Sequence, residues 1–251
     1  MRAGRRVVVA LLLVAVGLAA AAAVYFKLGV PIGQLFEKEV LRHVPTQTYN
    51  LSGSWEVARS DGTGWRAVEV PCLVANWEFP GSALFRKRFY LPEVPEGHKV
   101  YVKFYGVKYR SEVYVNGKKV GENWDGFAPF LVDVTGAVKP GGENTLEVRV
   151  EDWSSALAPE ARGKVRSLDE AYNSVIYPVG SYTWVYGIWD TVELLIVPRV
   201  WIYDVFIQTY VRNATIVVSV EVKNEGKIER EVVVVNRVYD GGELVKELPA
   251  F

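Results

Sequence analysis

Residues 101–153 read YVKFYGVKYRSEVYVNGKKVGENWDGFAPFLVDVTGAVKPGGENTLEVRVEDW, and the fold is decided in this stretch. Val100, Val102 and Phe104 alternate with Tyr101, Lys103 and Tyr105, which gives an extended strand one apolar and one polar face. The next alternating run ends at Asn116-Gly117 and another begins beyond it. Asn-Gly between alternating runs predicts a two-residue hairpin, because a type I′ turn needs positive φ at both central positions. A Gly-rich aromatic segment follows, then a second turn at Pro140-Gly141-Gly142 and a further alternating run.

The same period of two extends outward in both directions. LSGSWEV, GWRAVEV, ALFRKRFYLP, FLVDV and NTLEVRVEDW are short and bounded by Gly, Pro, Asn or Asp. Many short strands at close spacing predict an all-β sandwich rather than a βαβ fold. Residues 154–186 interrupt the pattern with a long connection, a length that goes more often with function than with a bare link. GIWDTVELLIVPRVWIYDVFI resumes it. From about Ile202 a second unit is expected, with strands near residues 215–223 and 229–239 and a hairpin turn at Asp240-Gly241. An immunoglobulin-like sandwich needs about seven strands, so this second sandwich reads as partial.

The chain of 251 residues is half hydrophobic and 13% aromatic, which excludes disorder. Lys plus Arg and Asp plus Glu each total 29, so no electrostatic footprint for nucleic acid exists. The lone Cys72 makes no internal disulfide and reads as a small core residue. His43 and His98 are the only histidines, too far apart for a metal-ligand pattern or a Ser-His-Asp set. No cofactor-binding Gly loop is present.

Arg2, Arg5 and Arg6 precede an uncharged apolar run over residues 7–26. About 20 such residues span a bilayer as a helix, and the arginines place the remainder of the chain outside. The small-residue stretch at 18–23 also suits signal-peptide cleavage, but the length of the run favours an uncleaved anchor. The expected organisation is a signal-anchor or signal peptide over 1–27, a connector over 28–48, a sandwich over 49–200 and the partial sandwich over 201–251.

Several segments, taken in order, resemble the N-terminal sugar-binding domain of glycoside hydrolase family 2. They are Leu51-Ser52-Gly53-Ser54-Trp55, Val70-Pro71, the aromatic-Arg strand at 84–92, Val115-Asn116-Gly117, Gly126-Phe127-Ala128-Pro129-Phe130, Asp133-Val134-Thr135, Gly142-Glu143-Asn144 and Gly187-Ile188-Trp189. The resemblance covers roughly residues 51–240 and implies a jelly-roll β-sandwich followed by an immunoglobulin-like one. It also implies a glycan partner and an O-glycosyl hydrolase acting on β-linked glycosides. In that family the two catalytic carboxylates come from an α/β barrel further along the chain. A barrel needs on the order of 250 residues, so here it would have to be encoded downstream. The sequence departs from the family at Asp190, where Arg is common, and at Ser181, where many members place an acidic sugar contact.

Sugars present apolar C–H faces to flat rings, and Trp and Tyr add a polar edge. Trp124, Tyr182 and Trp184, together with Ser181, are therefore the candidate substrate-binding residues. Trp55, Trp153 and Trp189 are assigned to the core. No catalytic residue and no metal ligand is assigned. The alternative function is a stand-alone membrane-anchored carbohydrate-binding module or surface interaction protein.

Overall fold

The protein is described from a computed structural model, in which residues 9–15, 45–152, 155–156, 185–213, 215–227 and 230–247 are described. The chain divides into two compact units, one spanning Pro45–Pro198 and one that includes Arg199–Phe251.

In chain order the strands are β1 (Val9–Ala15), β2 (Gln47–Asn50), β3 (Gly53–Arg59), β4 (Arg66–Val70), β5 (Val74–Ala75) and β6 (Ser82–Leu91). They continue with β7 (Lys99–Phe104), β8 (Val107–Lys108), β9 (Arg110–Val115), β10 (Lys118–Asn123), β11 (Phe130–Asp133) and β12 (Gly142–Glu151). The last six are β13 (Val185–Ile188), β14 (Val192–Val197), β15 (Val200–Tyr210), β16 (Thr215–Asn224), β17 (Arg237–Asp240) and β18 (Glu243–Glu247).

The unit Pro45–Pro198 is a β-sandwich. A six-stranded sheet ordered β10-β9-β12-β6-β3-β4 faces a four-stranded sheet ordered β11-β7-β14-β2, and the short ladder β5-β13-β8 closes one side. Every ladder described is antiparallel. Alternation sets the two faces. Val100, Val102 and Phe104 of β7 are buried, as are Val113 and Val115 of β9, Leu146, Val148 and Val150 of β12, and Phe85, Phe89 and Leu91 of β6. One-residue slips would turn these rows to solvent, so the register is fixed by burial. Trp55 lies at the centre and donates its Nε1–H to the Leu51 carbonyl at 2.7 Å, satisfying the one polar atom that burying an indole would orphan.

The predicted hairpin forms between β9 and β10, with φ of 51° at Asn116 and 80° at Gly117. Asn116 also ties the turn down, donating from Nδ2 to Asn144 Oδ1 at 2.8 Å and to the Ala137 carbonyl at 2.9 Å. The turn before β12 takes its positive φ at Gly141.

The second unit differs from the reading in three places. Within the apolar run expected as a helix over residues 7–26, the described residues Val9–Ala15 form a strand paired antiparallel with β16. A continuous apolar stretch of seven residues carries no period that separates a strand from a buried helix. The rest of that run lies outside the described residues, and among the described residues no helix is long and apolar enough to cross a membrane. The strand expected at 229–239 is confined to Arg237–Asp240, because the described residues 230–236 join no ladder. The hairpin turn between β17 and β18 sits at Gly241-Gly242, one residue later than expected, with φ of 55° and 89°.

Candidate functional site

Trp124 directly follows β10, and its indole is 46% exposed. The guanidinium of Arg110, on the neighbouring β9, lies 4.6 Å from the ring centre. Arg110 is itself immobilised. It donates from Nη1 to Glu151 Oε2 at 2.8 Å and from Nη2 to Glu112 Oε1 at 2.9 Å, and pairs with Glu122 at 3.5 Å. Lys119 bridges Glu112 and Glu122 at 2.8 Å to each. Strand register assembles this group, since Glu151 is the ladder partner of Arg110 and Glu122 that of Glu112. The result is an indole held against a fixed cation, with the remainder of the ring open to solvent.

The segment after Trp124 is pinned as firmly. Asp125 Oδ1 accepts from the Phe127 and Ala128 amides at 2.9 and 3.2 Å. Trp189 Nε1 donates to the Gly126 carbonyl at 2.8 Å. A side chain at position 126 would meet the Tyr109 ring at 2.8 Å, so only Gly fits. Phe127 is thereby presented outward beside Trp124 in sequence, and it too is exposed. Ser181, Tyr182 and Trp184, like the core assignment Trp153, lie outside the described residues. Of the other core assignments, Trp55 is buried and Trp189 is half-buried.

Sequence reasoning missed a buried polar cluster at the root of the long connection. Asp152 Oδ2 accepts from Asn76 Nδ2 at 3.1 Å and from Ser155 Oγ at 2.7 Å, while its Oδ1 accepts from the Ser155 amide at 2.8 Å. Asn76 Oδ1 in turn accepts from the Gly81 amide at 2.6 Å. Lys108 is 7% exposed. Burial lowers its pKa to about 8, against the opposing pull of Asp152. Tyr186 donates to the Phe79 carbonyl, and burial first, then Asp152, holds its phenol well above the usual range. The local signal was slight, because Asn76 and Asp152 are 76 positions apart and only the folded register brings them together.

These carboxylates are not set up as a catalytic pair. A retaining glycosidase needs one carboxyl protonated as acid and one free as nucleophile. Glu112 and Glu122 are both held below the usual carboxylate range, chiefly by hydrogen bonds from Lys119, so neither carries the proton an acid catalyst needs. Asp152 is taken up by Asn76 and Ser155. Among the described residues no group of His, Cys, Asp and Glu is arranged to hold a metal.

Comparison with known proteins agrees with this architecture. Residues 73–176 match the family model described as the glycosyl hydrolase 2 galactose-binding domain-like domain. A β-glucuronidase of Formosa agariphila is 28% identical over 142 residues, which cover 45% of this chain and 14% of that protein. A β-galactosidase of Thermoanaerobacter pseudethanolicus is 44% identical over 68 residues, 27% of this chain and 9% of the relative. Among solved structures, a putative β-galactosidase from Bacteroides fragilis superposes with a TM-score of 0.61 at 24% identity, over 83% of this chain and 33% of its own. A β-D-glucuronidase of Dictyoglomus thermophilum gives 0.56 at 21%, over 82% and 37%. At such identities the structures speak for the fold alone. The chain spans a minor part of the length of each of these relatives.

Proposed function

We propose, for a chain that carries a glycosyl hydrolase 2 galactose-binding-like domain at residues 73–176, that it is the carbohydrate-recognising N-terminal portion of a β-glycosidase. In this reading the bond-breaking carboxylates come from an α/β barrel elsewhere in the enzyme, and the sandwich contributes glycan contacts. The observation that carries it is the pairing of that domain with a rigidly held, solvent-facing Trp124, while the carboxylates nearby are spent on ion pairs. Indole faces of this kind stack on sugar C–H surfaces. Ser181, Tyr182 and Trp184 supply further contacts from the long connection. The basic and apolar N-terminus supports tethering at a membrane with the sandwich outside the cell, or secretion.

The test is a titration of the full chain with β-linked glucuronides, galactosides and mannosides, together with a hydrolysis assay. The expected result is weak saturable binding without hydrolysis, lost in Trp124→Ala or Trp184→Ala. Binding unchanged in both variants would overturn the assigned face. Hydrolysis by the purified chain would overturn the division of labour.

A further inference from the structure

The hairpin between β3 and β4 and the loop after β5 frame a pocket of about 330 Å³ lined by Arg59, Thr63, Gly64, Arg66, Glu78 and Phe79. That volume lies at the small end of ligand sites, roughly 300–1,000 Å³, and suits a single sugar ring. The pocket uses none of the residues around Trp124.

Register explains why two arginines converge here. Arg66 pairs with Val57 across the ladder, and Arg59 lies two residues beyond Val57 on the same strand. Both therefore belong to the row that elsewhere faces the core. At β4, the edge strand of the six-stranded sheet, that row reaches solvent and both side chains are exposed. Arg66 donates from Nη2 to Glu78 Oε2 at 2.9 Å and lies 5.2 Å over the ring of Phe79, which is buried. The other N–H groups of its guanidinium face no acceptor among the described residues. Arg59 makes no side-chain hydrogen bond or ion pair among them. Asp61, on the adjoining turn, feels the Arg59 charge, but its Oδ1 accepts from the Thr63 amide and hydroxyl at 2.9 and 2.7 Å.

The hairpin is preset. The Arg59 amide donates to the Thr63 carbonyl at 3.0 Å and the Gly62 amide to the Arg59 carbonyl at 2.8 Å. Gly62 and Gly64 hold φ of +80° and +72°, and Gly64 leaves its stretch of pocket wall bare. The lining thus offers an uncommitted guanidinium, spare donors on a second, and one carboxylate able to accept from hydroxyls, with Phe79 buried beneath Arg66. A forked donor set of this type matches a carboxylate. A bare anion would leave the Glu78 acceptor unused.

We propose that this pocket is a second saccharide subsite, which takes a monosaccharide unit carrying a carboxylate. The carboxylate lies against Arg59 and the free N–H groups of Arg66, and the ring hydroxyls reach Glu78. The choice of a sugar over other small carboxylates rests on the domain reading above; the demand for an anion rests on Arg59 alone.

The experiment is amide and indole NMR of the full chain, titrated separately with sodium D-glucuronate, methyl β-D-glucoside and sodium sulfate at constant ionic strength. Glucuronate is expected to shift the Arg59, Thr63 and Gly64 amides saturably, while the glucoside leaves them still. Arg59→Ala should weaken glucuronate binding by at least about tenfold, as loss of a charge-assisted hydrogen bond implies. Glu78→Gln should tighten it by freeing Arg66. Arg59 is exposed, so its variant should fold, and an unmoved Trp124 indole signal checks that. Absence of saturation, equal shifts with the glucoside, or equal shifts with sulfate would each overturn the subsite. A Trp124 indole that responds to neutral β-glycosides beside silent pocket amides removes the subsite alone. The converse removes the Trp124 face alone.

Discussion

Lys108 and Cys72 are two half-hidden titratable groups whose shifts oppose each other. Burial lowers Lys108 from 10.5 to about 8, so between those values the unfolded chain binds a proton that the folded chain does not. Stability then rises with pH across that window. Burial raises the Cys72 thiol from 9.0 to about 11, which makes the folded chain the better proton binder and lowers stability as pH climbs from 9 to 11. Between pH 8 and 9 the Lys108 effect is the larger of the two, because the unfolded Cys72 thiol is at most half deprotonated there. The unfolding free energy is expected to increase by about 0.5–1 kcal/mol over that interval, and Lys108→Met should abolish the increase. Urea denaturation at half-unit steps of pH measures it, and a flat wild-type profile would remove the assignment. Cys72 should alkylate slowly in the folded state at pH 8, since the thiolate is the reactive form.

Asn76 makes the matching case for hydrogen bonding. Asn76→Ala removes the donor to Asp152 and the acceptor of the Gly81 amide, both buried. Orphaning the Gly81 amide and removing one of the donors to Asp152 costs about 2–4 kcal/mol, which should appear as a lowered urea midpoint with an unchanged denaturant slope. Substitution of the exposed Trp124 by Ala forfeits the Arg110 stack, about 0.5–1 kcal/mol. A Trp124 variant that loses glycan binding while keeping its stability would separate recognition from folding.

Among elements, β13 shows how tightly a short strand can be placed. It pairs with β5 on one side and β8 on the other. At its Gly187, φ is +146° and a Cβ would stand 2.7 Å from the Cys72 carbonyl oxygen and 3.3 Å from Leu73 Cα. Both neighbours are backbone and cannot swing away. Gly187→Ala is expected to destabilise the fold by about 3 kcal/mol, combining overpacking with a strained φ. Gly117→Ala, with open space around its Cβ and φ of +80°, should cost only the conformational part, about 1 kcal/mol. Similar midpoints for the two variants would contradict this packing. Turn chemistry predicts the pair whose partner lies next in sequence, β9 and β10 about Asn116-Gly117; alternation predicts the buried row of β7 but not its partners, β11 and β14, which lie far along the chain. Residues 230–236 read REVVVVN yet join no ladder, because β propensity needs a neighbouring strand to act on. Trp124 was legible as an aromatic beside a loop, not as an exposed ring. Its fixing by Arg110 was not, since Glu151 meets Arg110 across 41 positions and only the ladder register reveals it.

For the whole molecule, the two units dispose of apolar surface differently. In Pro45–Pro198 the rows from both sheets close on one another, and Phe85, Phe104 and Val148 are fully covered. In the unit that includes Arg199–Phe251, Trp201, Val217 and Val220 are buried, but β15 leaves Phe206 56% and Ile207 59% exposed. These adjacent residues point to opposite faces of the strand, so neither face of its outer half is covered among the described residues. β17 and β18 likewise expose Tyr239, Leu244 and Val245. Apolar surface presented on a strand that ends its sheet is a template for pairing with another chain. The full chain is therefore expected to self-associate as concentration rises, with light scattering reporting species above 28.1 kDa. Phe206→Lys with Ile207→Lys should suppress that association by placing charge on both faces at once. A fragment spanning 45–198 should remain monomeric at the same concentration. Association that persists in the fragment would move the sticky surface to the sandwich, where the exposed Trp77, Trp124 and Phe127 become the residues to substitute next.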